Sequence, residues 1–194
     1  MDSVNYSMAA HGFPERSLEE IRRFVGNGVG KLIERSVPNG VNNPLFEDSL
    51  NIFKAHYSKN MQNKTAPYKG IIELLKKLKE EGFKLAVVSN KFDAAVKALV
   101  KDFFGDYIKV AIGESDTVLS KPAPDTVFKA LEELHSIPEK AVYVGDSEVD
   151  VKTAKNSNLI CIGVTWGFRD RDVLMNEGAE YIIDQPQELL GIIT

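Results

Sequence analysis

After Pro67 the chain alternates short apolar segments with amphipathic ones, and this alternation limits the possible fold more than any other feature. Strands are expected at KLAVVS, KVAIG, AVYVGD, LICIGVT and EYIID, with helical spacing between them. Strands that are connected by helices pair in parallel and are covered on both faces. The sequence therefore predicts an α/β fold with a parallel sheet over residues 67–194. In such a sheet, ligands bind beyond the carboxyl ends of the strands.

The first 66 residues differ, because their periodic segments have helical spacing and no convincing strand. Ser17 followed by Glu20 predicts a capping box at a helix start. The glycines at 26, 28 and 30 predict a turn or bend between two helices. A second amphipathic stretch carries apolar residues near helical spacing, namely Leu45, Phe46, Leu50, Phe53 and Tyr57. We expect two domains, a helical one at 1–66 and an α/β one at 67–194.

Composition excludes several classes of function. The formal net charge of −4 supplies no basic surface for nucleic acid. No apolar run approaches the length that a bilayer requires, so no membrane association is expected. Cys161 is the one cysteine and lies in the apolar run LICIGV, which predicts a buried core residue in a reducing compartment. We expect a cytoplasmic protein, either a monomer or a homodimer.

Two carboxylates follow the predicted strand AVYVGD. Gly145 allows a sharp turn, Asp146 lies at the strand end, and Asp150 follows on the first turn of the next helix. Neighbouring carboxylates repel unless a cation or proton lies between them, and Mg²⁺ prefers oxygen ligands. The segment therefore predicts a metal site at Asp146 and Asp150. The alternative is that Asp146 or Ser147 only caps the helix.

Two further segments offer phosphate ligands. Ser89 and Asn90 end a strand ahead of a helix start, where phosphate oxygens can bind; an ordinary helix cap is the alternative. Lys121 precedes Pro122 and supplies a compact positive charge that suits phosphate, although an exposed lysine is the default interpretation. The order of the strands predicts that Asn90, Lys121 and Asp146 converge at one edge of the sheet.

Taken together and in this order, the motifs resemble those of the haloacid dehalogenase-like hydrolases, in their phosphoglycolate-phosphatase-like branch. Ser89 with Asn90 beside it matches the second motif, Lys121 the third, and Gly145–Asp150 the fourth, Gly-Asp-x-x-x-Asp. The resemblance implies a Rossmann-like core, a Mg²⁺ cofactor, a phospho-aspartyl intermediate and a helical cap domain over residues 1–66. It also implies that Lys121 and Ser89 act in catalysis by stabilising the transferring phosphoryl group.

The family's first motif, Asp-x-Asp-x-Thr at the end of the first strand, has no counterpart among these 194 residues. Asp2 and Asp48 follow no apolar strand, and Asp170 and Asp172 lead into a predicted helix as helix-start acids. We therefore expect the central first strand to be missing and the chain as given to be inactive or severely impaired. Three explanations stay open: a start assigned too late or a shortened chain, a true truncated pseudoenzyme, or a strand supplied by another chain.

The resulting prediction is a Mg²⁺-dependent phosphatase of small phosphomonoesters, with 2-phosphoglycolate as a candidate substrate. A non-catalytic module that binds a phosphorylated ligand or a partner is the alternative, and a sugar-phosphate mutase is a further one. Trp166 and Phe168 are expected to pack, or else to line the mouth of the site. The cap residues Arg23, Asn27 and Lys31 are expected to be exposed, with contact to a substrate carboxylate as the alternative. The histidines are expected to be surface or packing residues: His11, His56 and His135.

Overall fold

The computed structural model describes residues 1–25, 28–60 and 62–193. The chain divides into two compact units, which are Met1–Thr65 and Ala66–Thr194. Gly26 and Asn27, for which a bend and a ligand contact were predicted, lie outside the described residues. No helix among the described residues is long and apolar enough to cross a bilayer.

The first unit is helical, as predicted. Its helices are α1 (Asp2–Ala10), α2 (Leu18–Phe24), α3 (Gly28–Ser36) and α4 (Phe46–Asn60), with a short 3₁₀ turn at Gly40–Asn42. Their apolar faces share one core, in which the most deeply buried side chains are Val4, Met8, Ile33, Val37 and Phe53.

Local signals in the first unit set the helix boundaries. The predicted capping box is present: Ser17 Oγ accepts the Glu20 N–H at 3.2 Å, and Glu20 Oε2 accepts the Ser17 N–H at 2.8 Å. Helix α2 ends at Phe24 and α3 begins at Gly28, which has a φ of +81° that favours glycine. Gly30 belongs to α3 rather than to the bend.

The second unit contains every strand that the sequence predicts. The strands are β1 (Ala86–Phe92), β2 (Val110–Glu114), β3 (Val142–Gly145), β4 (Ile160–Val164) and β5 (Tyr181–Ile183). The helices are α5 (Ile71–Glu80), α6 (Asp93–Phe104), α7 (Asp125–Leu134), α8 (Glu148–Asn156), α9 (Arg171–Glu177) and α10 (Leu190–Ile193). The helix predicted from Pro186 begins as a 3₁₀ turn, Pro186–Leu189, before α10.

The strands form two parallel sheets rather than one continuous sheet. β1 pairs with β2, and β3, β4 and β5 pair in that order, with Tyr143 opposite Cys161. Among the described residues no ladder joins β1 to β3, so both of these strands have an unpaired edge. Val142 and Val144 of β3 are correspondingly exposed, at 37% and 43%. The split lies between the two strands whose carboxyl ends carry the predicted ligands.

Helices on both faces bridge the two sheets. On one face α7 places Val127 and Leu131 in the core around Tyr143, while its Ala130 packs in the core around β2. On the other face α5 places Leu74 and Leu78 against β4 and β5, where they contact Ile162, Val164 and Ile183. The neighbouring Leu75 of α5 packs instead against the core formed by α6 and β2. Burial of these apolar side chains holds the sheets together without backbone pairing.

Candidate active site

The carboxyl ends of β1 and β3 bring the predicted ligands together. Asn90 near the end of β1 holds the backbone of Lys121: Asn90 Nδ2 donates to the Lys121 carbonyl at 2.8 Å, and the Lys121 N–H donates to Asn90 Oδ1 at 2.6 Å. This pair of bonds fixes the loop ahead of α7 against β1. Asn90 thus uses its amide to position Lys121, a role that the sequence did not indicate.

The side chain of Lys121 points toward the end of β3. Its Nζ donates to Asp150 Oδ1 at 2.6 Å and to the Tyr143 hydroxyl oxygen at 3.2 Å. The Lys121 side chain is only 13% exposed and that of Asp150 only 7%. The default interpretation of Lys121 as a freely exposed lysine is therefore wrong, since the ammonium is held in a buried ion pair.

Asp150 is fully engaged by protein donors. Its Oδ1 accepts from Lys121 and from the Tyr143 hydroxyl at 2.9 Å, and its Oδ2 accepts from Ser147 Oγ at 2.6 Å and the Asp146 N–H at 3.2 Å. Burial alone would raise the pKa of Asp150, but Lys121 and the hydroxyl donors lower it below the ordinary value. The protein donors around Asp150 therefore favour its ionised form.

Asp146 has a different environment. Its Oδ2 accepts the Phe168 N–H at 3.0 Å, and its backbone carbonyl accepts the Arg169 N–H at 3.2 Å. Burial, followed by the negative charge of Asp150, raises the pKa of Asp146 above its ordinary value. A cation bound to this carboxylate would offset both costs, because it restores favourable interactions to the charged form.

Glycines allow the close packing around both carboxylates. A Cβ on Gly145 would lie 2.3 Å from the Asp150 Cβ, and one on Gly167 would lie 2.1 Å from Asp146 Oδ2. Neither position has room for a larger residue without movement of the aspartate. The Gly167 contact could not be inferred from the sequence, because the two residues are joined only by the fold.

Of the two residues that could cap α8, the structure uses Ser147 and not Asp146. Ser147 is the N-cap of α8 and its hydroxyl accepts the Asp150 N–H at 3.4 Å, whereas Asp146 precedes the cap. Ser89, the other predicted hydroxyl, accepts the Lys91 N–H at 3.1 Å through its Oγ. Its hydroxyl hydrogen can still point to an anion at the strand end.

A second, partly buried ion pair flanks Asp146. Arg169 binds Glu148 through two hydrogen bonds, of 2.7 Å from Nε and 3.1 Å from one terminal nitrogen. The hydrogen bonds from Arg169 lower the pKa of Glu148. Sequence reasoning missed this pair, together with Tyr143, because none of these residues belongs to a recognisable motif.

Other predicted residues lie elsewhere. Trp166 is partly buried against the core formed by α5 and β4, as a packing role predicts, while Phe168 is 42% exposed. Burial raises the pKa of the buried Cys161 thiol to about 12, which confirms a core residue rather than a nucleophile. Asp170 is the N-cap of α9 and Asp172 lies in its first turn, so both are helix-start acids as predicted.

Charged candidates of the first unit have local partners. Arg23 contacts Glu19 at 4.0 Å and Lys31 contacts Glu34 at 2.6 Å. The histidines also have structural surroundings: His11 lies 3.1 Å from Asp48, His56 bonds Ser3 at 3.0 Å, and His135 ends α7. These contacts agree with surface or packing roles.

The donors at the strand ends suit Mg²⁺ together with a phosphate. Among the described residues no group of three or more His, Cys, Asp or Glu side chains is placed to hold a metal ion. Mg²⁺ commonly binds one or two carboxylates and completes its shell with water and substrate phosphate oxygens. Asp146 could supply one such carboxylate, and Lys121 is joined to its backbone through Asp150.

Comparison with known proteins identifies the family of this chain. The family model described as haloacid dehalogenase-like hydrolase matches residues 1–164. The phosphoglycolate phosphatase of Aquifex aeolicus is 30% identical over 183 residues, spanning 94% of this chain and 83% of that protein. The phosphoglycolate phosphatase of Pseudomonas savastanoi is 29% identical, spanning 97% of this chain and 71% of that protein.

Among solved structures, a protein from Lactobacillus delbrueckii described as a candidate phosphoglycolate phosphatase superimposes with a TM-score of 0.93. It is 34% identical, and the match covers 99% of this chain and 90% of that one. The similarity in sequence and in structure therefore covers the residues of both units. Because the family model matches residues 1–164 and the relatives match nearly the whole chain, this chain belongs to the haloacid dehalogenase-like hydrolases.

Proposed function

We propose that this protein is a Mg²⁺-dependent phosphatase of small phosphomonoesters, with 2-phosphoglycolate as the first substrate to test. The observation that carries the proposal is the linked set at the strand ends. Asn90 holds the Lys121 backbone, Lys121 pairs with Asp150, and Asp150 accepts the N–H of Asp146. A continuous hydrogen-bond network thus joins the proposed phosphate-binding lysine to the backbone of the proposed metal-binding carboxylate.

Each residue then has a distinct role. Lys121 and the Ser89 hydroxyl stabilise negative charge on the phosphoryl oxygens. Asp146 holds Mg²⁺ directly, and the metal, when bound, neutralises charge on the phosphoryl group. Asp150 supports that site through Lys121 and through water, because both of its oxygens are already occupied by protein donors. Phe168 fixes the Asp146 carboxylate through its backbone N–H.

For residues Met1–Thr194 alone, we propose binding of phosphate without turnover. The 194 residues contain no Asp-x-Asp-x-Thr, and Asp170 and Asp172 begin α9. Covalent phosphoryl transfer needs a nucleophilic carboxylate, whereas electrostatic binding does not. This observation also supports the second candidate function, a non-catalytic module that binds a phosphorylated metabolite. A mutase of the same fold stays a weaker alternative.

A two-chain experiment separates these functions. Phosphate release from 2-phosphoglycolate and a panel of phosphomonoesters is measured with Mg²⁺ for Met1–Thr194, and for a chimera in which an Asp-x-Asp-x-Thr strand is fused ahead of Met1. We expect turnover only by the chimera, with loss of that turnover in Asp146→Asn. Orthophosphate binding to Met1–Thr194 is measured by calorimetry with and without Mg²⁺, and we expect binding that requires Asp146.

The outcomes are distinct. A folded chimera that releases phosphate from no phosphomonoester rejects the phosphatase. Turnover by Met1–Thr194 itself, abolished in Asp146→Asn, rejects the non-catalytic module. Conversion of a sugar phosphate to its isomer, rather than to free sugar, identifies the mutase.

A further inference from the structure

A buried tyrosine lies directly beneath the proposed phosphate lysine. Tyr143 is the second residue of β3 and is only 6% exposed. Its ring packs with Val127, Leu131 and Cys161 in the core, while its hydroxyl reaches the polar cluster at the strand end. A buried phenol needs hydrogen-bond partners, and here both partners are charged groups of the site.

The Tyr143 hydroxyl is both donor and acceptor. It donates to Asp150 Oδ1 at 2.9 Å and accepts from Lys121 Nζ at 3.2 Å, while Lys121 Nζ also donates to the same Asp150 oxygen at 2.6 Å. The three groups therefore form a closed triangle. The Lys121 ammonium lies 5.9 Å from the centre of the Tyr143 ring, at the hydroxyl end.

This triangle determines how Lys121 can act. An ammonium group has three N–H donors, and the triangle uses two of them. Among the described residues the third N–H has no protein acceptor, so it is the donor available to a ligand. Without the tyrosine oxygen, rotation about the terminal bond of Lys121 would no longer be fixed by a second partner, and the direction of the third N–H would vary.

We propose that Tyr143 is a positioning residue that directs the single available N–H of Lys121 toward the phosphoryl group. The proposal deepens the proposed function, because it assumes that Lys121 binds phosphate. Tyr143 acts through Lys121 and Asp150 and does not itself contact the substrate. Tyr143→Phe removes one oxygen, keeps the ring in the core and isolates this role.

The test uses two readouts on Met1–Thr194, one of which needs no phosphate. The first is the rate of acetylation of Lys121 by limiting acetic anhydride, measured by peptide mass spectrometry against Lys129 in the same protein. The second is orthophosphate affinity with Mg²⁺ by calorimetry. Tyr181→Phe is the matched control, since Tyr181 lies on β5 and is 47% exposed. Trp166 emission checks that each variant is folded.

We expect Tyr143→Phe to acetylate Lys121 about three- to tenfold faster than the wild type and to weaken orthophosphate binding by a similar factor, the range typical of one lost hydrogen bond. Tyr181→Phe should leave both values unchanged. In an Asp150→Asn background, Tyr143→Phe should add little, because the triangle is already broken.

Equal Lys121 acetylation in Tyr143→Phe and Tyr181→Phe overturns the positioning role. The positioning role is also overturned if the effects of Tyr143→Phe and Asp150→Asn on Lys121 acetylation are additive in the double variant. If the wild type binds no orthophosphate, the proposed function fails, while faster Lys121 acetylation in Tyr143→Phe still supports the triangle. The two failures are therefore distinguishable.

Discussion

Removal of the Lys121 charge should destabilise the second unit strongly, because it leaves a buried carboxylate without its cation. Lys121→Met keeps the approximate length of the side chain but removes its charge from beside Asp150, whose side chain is 7% exposed in the wild type. Breaking a buried ion pair by removal of one partner costs about 3–5 kcal/mol. Asp150 keeps donors from Tyr143, Ser147 and the Asp146 backbone, so we expect the low end, about 3 kcal/mol.

Urea unfolding followed by Trp166 fluorescence measures this cost, since Trp166 is the one tryptophan and lies in the second unit. With a urea m-value of about 1–3 kcal/mol/M, a loss of about 3 kcal/mol lowers the unfolding midpoint by about 1–3 M. Lys129→Met is the matched control, because Lys129 is 45% exposed and lies 3.9 Å from Glu133. A surface pair of this kind contributes about 0–1 kcal/mol.

The same ion pair determines how the stability of the second unit depends on pH. The lowered pKa of Asp150 in the folded protein contributes stability above the ordinary aspartate value of 3.8, and this contribution is lost as pH falls through the folded pKa. The difference in stability between Lys121→Met and wild type should therefore shrink only as pH falls below 3.8 towards the folded pKa of Asp150. In Lys121→Met/Asp150→Asn the cost should be smaller than the sum of the single changes. A midpoint for Lys121→Met equal to that of Lys129→Met would refute this account.

Two further predictions concern Gly167 and Asp93. Gly167→Ala should lower Mg²⁺ affinity in a calorimetric titration at least tenfold, and stability by about 1–3 kcal/mol, because the new Cβ would lie 2.1 Å from Asp146 Oδ2. Asp93→Asn should weaken the pH dependence of urea stability below pH 3.8, read by Trp166 fluorescence. Lys97 at 2.7 Å and then the Gly113 N–H lower the Asp93 pKa below 3.8, and the stability gained is lost as pH falls through the folded pKa.

Each of these predictions has a control. Gly191→Ala meets nothing within 4 Å and should leave Mg²⁺ affinity and stability near wild type. A Gly167→Ala protein with wild-type Mg²⁺ affinity would separate Asp146 from metal binding. Lys97→Met removes the first cause of the Asp93 shift, so it should also weaken the pH dependence. An unchanged pH slope in Asp93→Asn would show that this carboxylate does not couple folding to protons.

Much of the architecture follows from patterns within single segments. Helix α6 begins and ends where its periodicity predicts, and the capping box at Ser17 sets the start of α2. The alternation after Pro67 predicts each strand of the second unit and their parallel pairing. These features are local, because side-chain period and cap chemistry act over a few residues.

The sequence also indicates which residues meet, but not how they bond. Strand-end geometry predicts that Asn90, Lys121 and Asp146 come together, and the hydrogen bonds at the ends of β1 and β3 join them. The assignment of Asn90 as a phosphate ligand stays a prediction, since its amide is committed to the Lys121 backbone. The direct or indirect role of Asp150 toward Mg²⁺ likewise depends on donors that no motif specifies.

The sequence by itself therefore determined the elements, their order and the edge at which the ligands collect. Only the tertiary structure decided that Lys121 pairs with Asp150 over Tyr143 and that Gly167 packs on Asp146. The physical reason is range: periodicity and capping are set by neighbours along the chain, whereas these contacts join residues from separate segments. Their energies depend on burial and distance, which exist only once the chain has folded.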